Sequence, residues 1–151
     1  VKDYILSALG ALLLSTTVLV SAQSFEKIQS ENRSSVKEIN GFNTQAVERL
    51  LKTEKYLIIK FSTETCKYCK YLEPHFKAAA QASPFPVQFV SVVIPSDDAT
   101  KNWYKSTFQF ATVPTVVYYK EGHKMLVHGS ENATLKDTDI LNNMARIYKA
   151  I

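Results

Sequence analysis

From about residue 42 onward, short unbroken apolar runs take turns with longer stretches whose apolar residues recur three or four apart. The runs Tyr56–Phe61, Val87–Ile94 and Thr115–Tyr119 are rich in β-branched and aromatic residues without strict alternation, which predicts strands covered on both faces. Lys124–His128 predicts a further short strand after a Glu121-Gly122 turn, with Gly129 as its breaker. A helix is predicted over 43–53, with Val47, Leu50 and Leu51 on one face. A second covers 69–81, turning Leu72, Phe76, Ala79 and Ala80 inward, and Pro84-Phe85-Pro86 ends it. A third covers 98–107, with Trp103 as a core residue and Tyr104 beside it, capped from Pro95-Ser96-Asp97-Asp98. The last covers 136–150, with Ile140, Leu141, Met144, Ile147 and Tyr148 together. Strands and helices alternating in this way predict an α/β fold, a sheet with helices on two faces.

Residues 1–22 read differently. Ile5–Val20 is almost wholly apolar, Lys2 precedes it, and Val20-Ser21-Ala22 places small residues at a signal peptidase's spacing. A signal peptide cleaved after Ala22 is expected, with a retained membrane anchor as the alternative, since the run is about long enough to span a bilayer. Both place the remainder outside the cytoplasm, periplasmic or secreted, where disulfides persist. Residues 23–41 are expected as a linker or N-terminal extension, because Ser24–Asn40 is polar with one weak apolar pattern. Residues 42–151 are expected as one folded domain.

Composition supports a folded domain: 46% of the residues are hydrophobic and 21% charged, so global disorder is excluded. The net charge of +4 is scattered, with no block of like charges and no zinc-finger or aromatic-basic motif. No nucleic-acid partner is expected. Asn32-Arg33-Ser34 and Asn132-Ala133-Thr134 match a glycosylation triplet that chance often supplies.

The two cysteines of the chain stand in Cys66-Lys67-Tyr68-Cys69, directly after the first apolar run. Sulfurs at this spacing, at a strand-to-helix junction, point to redox chemistry. One alternative is a permanent structural disulfide, although so short a loop stabilises little by chain entropy. Another is a copper- or zinc-binding module, although two sulfurs leave a tetrahedral site incomplete and no His or Cys stands ready to complete it. No metal is therefore assigned. A third is a redox-silent scaffold that binds a partner.

The element order, with CxxC opening the second helix, resembles the thioredoxin-like superfamily over about residues 42–151. Pro74 stands eight residues after Cys66, where thioredoxins kink the active-site helix. Thr112-Val113-Pro114-Thr115 resembles the family's cis-proline loop, and Glu121-Gly122 its hairpin turn. The exported setting narrows the likeness to periplasmic thiol:disulfide interchange proteins. Three departures stand out. Lys67-Tyr68 replaces the Gly-Pro pair, Ser62 and Thr65 replace flanking tryptophans, and Lys60 occupies the place of a buried aspartate.

The resemblance implies a thioredoxin fold: a central mixed sheet of about four strands with helices on both faces, behind an N-terminal hydrophobic leader. It implies a thiol:disulfide oxidoreductase that exchanges a Cys66–Cys69 disulfide with protein substrates, favoured as a reductase over an oxidant or isomerase. Cys66, at a helix N-terminus that favours a thiolate, is the expected nucleophile, with Lys67 reinforcing the field and Glu64 opposing it. Cys69, one turn on and more buried, is the expected resolving thiol. Pro114 would be cis and face the sulfurs, the Val113 backbone would hold the substrate chain, and Thr65, Lys67 and Tyr68 would contact it. Lys60 is a candidate proton relay, with snorkelling to the surface as the favoured alternative. His75 is expected as a partly exposed helix residue rather than a ligand, and His123 and His128, near the hairpin, point to no function. A protein disulfide or dithiol substrate, a membrane or soluble redox partner and a monomer are expected, with no cofactor.

Overall fold

Tyr56–Ser62 (YLIIKFS) offers no polar face to water, and it becomes strand β2 at the centre of a five-stranded sheet. In the computed structural model the residues described are 35–129 and 135–149. The leader expected at 1–22, residues 23–34 and both glycosylation triplets lie outside them. Among the described residues no helix is long and apolar enough to cross a membrane. The elements run β1 (Val36–Asn40), α1 (Thr44–Thr53), β2, α2 (Lys67–Ala82), β3 (Gln88–Val93), α3 (Asp98–Phe108), β4 (Thr115–Lys120), β5 (His123–His128) and α4 (Asp137–Tyr148). Spatial order is β1-β3-β2-β4-β5. β1, β3 and β2 are parallel, while β4 runs against β2 and β5 against β4.

Strand β1 is a correction to the sequence reading. It falls in the stretch expected as linker or loose helix, and it raises the sheet from about four strands to five. The reason is physical. An edge strand buries little side-chain surface, so VKEIN keeps exposed Lys37 and Glu38, and its pairing with β3 rests on backbone hydrogen bonds.

Alternation along the strands builds two cores. Leu57, Ile59, Phe61, Val90, Val92, Val117 and Tyr119 face α1 and α3, which contribute Val47, Leu50, Tyr104 and Phe108. Ile58, Phe89, Val116 and Tyr118 face α2 and α4, which contribute Leu72, Phe76, Ile140 and Met144. In α3 the roles within the aromatic pair reverse. Tyr104 is fully buried, whereas Trp103 is partly buried and packs edge-on against it, because the Tyr104 hydroxyl finds a partner in the Gly41 carbonyl at 2.7 Å. The β4–β5 turn places Glu121 and Gly122 at positive φ, 53° and 77°, the arrangement that a two-residue hairpin of this twist demands.

Phe61 sits at the centre of the first core, with ring centroids of Phe108, Phe110 and Tyr104 at 4.7, 4.9 and 5.7 Å. Phe61→Ala is expected to lower stability by about 3–5 kcal/mol in a urea titration. A loss under about 1 kcal/mol would show that this cluster does not anchor the sheet.

Candidate active site

Where β2 ends, the chain turns through Thr63–Thr65 into α2, and Cys66 is the N-cap residue of that helix. Its Sγ accepts the Cys69 N–H at 3.1 Å, doing for the helix end what a serine oxygen does elsewhere. Cys66 and Cys69 are joined in a disulfide, with Cα atoms 5.2 Å apart. Cys69 is 4% exposed, on the buried face of α2, whereas Cys66 is only half-buried. The two sulfurs therefore differ in accessibility, and a visiting chain meets Cys66 first. Around them Glu64, Thr65, Lys67 and Tyr68 are all exposed. Pro74 lies inside α2, where it withholds a donor from the helix ladder. His75 ties α2 to the start of α4 through a 3.0 Å contact between its Nδ1 and Asp137 Oδ1.

The register of β2 against β4 pairs Phe61 with Thr115. The C-terminal end of β2 therefore lies beside the N-terminal end of β4. The loop leading to the cysteines and the loop holding Val113 and Pro114 emerge at the same end of the sheet. The Val113–Pro114 peptide is cis. Thr115 Oγ1 donates to the Thr112 carbonyl at 2.5 Å, which ties the loop across its own ends. Pro114 is buried, and Val113 is partly buried against the first core.

Lys60 does not snorkel. It is fully buried on the α2 face of β2, between Ser91 of β3 and Val116 of β4. Its Nζ donates to Glu73 Oε2 and lies 5.3 Å from the Phe76 ring centroid. The stem cannot reach the rim because α2 covers this face, so a carboxylate comes down to meet the ammonium instead. Burial pushes the Lys60 ammonium down to about 8, with Lys77 acting the same way and Glu38 opposing it.

Sequence reasoning left out Glu73. The signal was present, because a lysine inside an apolar strand requires a carboxylate partner, and Glu73 stands at i+4 from Cys69 on the helix above. Tyr71, 61% exposed on α2, was also left out and widens the aromatic surface around Tyr68. Among the described residues no three His, Cys, Asp or Glu side chains group as metal ligands.

Comparison with known proteins agrees with this geometry. The family model described as Thioredoxin matches residues 35–146. Thioredoxin-4 of Dictyostelium discoideum is 34% identical over 88 residues, 58% of this chain and 79% of that one. Thioredoxin of Mycoplasmoides gallisepticum is 29% identical over 80 residues, 53% of this chain and 75% of that one. The fold is also that of the crystal structure of spinach chloroplast thioredoxin F, with a TM-score of 0.61 and 18% identity, covering 82% of this chain and 93% of that one. With the family's Cys pair and sheet both in place, this chain belongs to the thioredoxin family and is a thiol:disulfide oxidoreductase.

Proposed function

We propose that this oxidoreductase reduces protein disulfides outside the cytoplasm, with Cys66 attacking and Cys69 resolving. The observation that carries the assignment of roles is the N-cap position of Cys66. Its sulfur accepts a backbone N–H and sits at the positive end of a 16-residue helix, so negative charge is stabilised there. The Cys66 thiolate attacks one sulfur of the substrate disulfide, and the other substrate sulfur leaves with the electron pair and takes a proton from solvent. Cys69 then attacks Cys66 Sγ and the second substrate sulfur leaves. The substrate gains two electrons and the Cys66/Cys69 pair loses them. In this reading the Val113 backbone holds the substrate chain, and Thr65, Lys67 and Tyr68 supply exposed contact surface.

The reducing direction is supported by kinship to thioredoxins and by the short path between the two site loops, in which α2, β3 and α3 are the described elements. A specific observation favours the opposite direction. Lys67 and the N–H on Cys66 Sγ both stabilise a thiolate, and stabilising the reduced form makes a dithiol pair more oxidising. The compartment rests on the apolar leader Ile5–Val20.

In an insulin-reduction assay with dithiothreitol as electron source, Cys66→Ser is expected to abolish turnover and Cys69→Ser to accumulate mixed disulfide. Activity that survives Cys66→Ser removes that sulfur from the role. Equilibration with glutathione is expected to give a potential near that of thioredoxin, about −270 mV, whereas about −120 mV would make the protein an oxidant. A membrane-impermeant maleimide added to intact cells is expected to label the reduced pair of the full chain. Labelling only after lysis would place the domain in the cytoplasm.

A further inference from the structure

The one buried lysine of the described residues pairs with a carboxylate on the helix that carries the resolving sulfur. Lys60 projects from β2 onto the α2 face, and Glu73 lies four residues beyond Cys69 on α2. Helix residues four apart share a face, with Cβ atoms about 5–6 Å apart, a span that a glutamate side chain and one water close. The two oxygens of Glu73 have different neighbours. Oε2 accepts from the buried ammonium of Lys60. Oε1 lies 3.4 Å from Nζ of Lys77, whose side chain is 53% exposed and free to move away. Glu73 also lines a cleft with Glu38, Thr63, Glu64, Ser91 and Lys101, so a proton arriving on its carboxylate has a path to solvent.

A thiol that is 4% exposed has few routes by which to lose its proton. Taking Cys69 as the resolving thiol, we propose that Glu73 accepts the Cys69 proton during resolution and that Lys60 is the positioning residue that holds Glu73 in place. The step balances. The Cys69 S–H proton passes to a Glu73 oxygen, and the Cys69 thiolate attacks Cys66 Sγ. The bond between Cys66 and the substrate sulfur breaks, and the electron pair leaves on that sulfur, which takes a proton from solvent. Glu73 returns its own proton to solvent through the cleft. The charged groups facing the pair are Lys77 on the same helix and Glu38 on β1, with Glu64 and Lys101 at the cleft wall, while β3 and β4 present Ser91 and Val116.

The test separates the two steps of exchange. An aromatic disulfide that releases a coloured thiolate is mixed rapidly with reduced protein. The first release reports attack by Cys66, and the second reports resolution by Cys69. Glu73→Gln is expected to slow the second release by about a hundredfold and to leave the first within about threefold. Without the carboxylate the second rate should climb about tenfold per pH unit across neutrality, as thiol ionisation does, and the wild-type profile should be flatter. Lys60→Met is expected to slow the same step, and by less above pH ~8, because the wild-type ammonium is itself losing its proton there. Removing one member of a buried pair strands the other. If a single variant does not fold, Lys60→Met with Glu73→Gln removes both charges together and is expected to resolve as slowly as Glu73→Gln. A second release slowed less than about tenfold in Glu73→Gln or in the double variant, or a wild-type pH slope in either, overturns the proposal. Wild-type protein that releases neither thiolate overturns the oxidoreductase roles of the two cysteines instead.

Discussion

Strand β2 is enclosed on every side, and the rest of the domain is organised around it. It pairs with β3 on one edge and β4 on the other, and α1 and α3 pack on one face while α2 and α4 pack on the other. Six of its seven residues are buried. A strand held this way cannot shift register without moving its whole hydrophobic set to the wrong face. The chain that leaves its C-terminal end therefore starts from a fixed point, and so does the Val113-Pro114 loop beside it on β4. The reactive sulfurs owe their placement to that immobility, together with the cap bond that Cys66 makes to the start of α2.

The same enclosure gives Lys60 its character. A charge removed from water costs several kcal/mol unless a partner meets it, and the partner must come from the element that covers the strand. Glu73 meets this condition because it sits on the buried stripe of α2, with 35% of its side chain still exposed. The pair is thus half a core feature and half a surface feature. That intermediate position lets one carboxylate balance a buried charge on its inner side and face Lys77 and the cleft on its outer side.

Legibility in the sequence followed burial. Helices and strands with a full apolar face, such as α1, β2, α3 and α4, were readable to within two or three residues, because the periodicity that marks them is the packing that holds them. The Cys pair and the Val-Pro loop were readable from residue type and spacing. Strand β1 was not, since Val36 and Ile39 alone are partly buried in VKEIN and its pairing is a property of the backbone. Trp103 does pack against the first core, but the greater depth of Tyr104 was not readable, because it rests on the Gly41 carbonyl that lies far away in sequence. Lys60 was singled out, but its fate depended on whether a helix lay across its exit, and a linear pattern does not show that.

One consequence follows from the direction of β1. It runs parallel to β3 and β2, so Val36 lies at the pole of the sheet opposite the one where β2 delivers Cys66. Whatever precedes Val36 is joined to the domain at its back. Chain entry and disulfide exchange therefore occupy opposite ends of one sheet, and neither has to make room for the other.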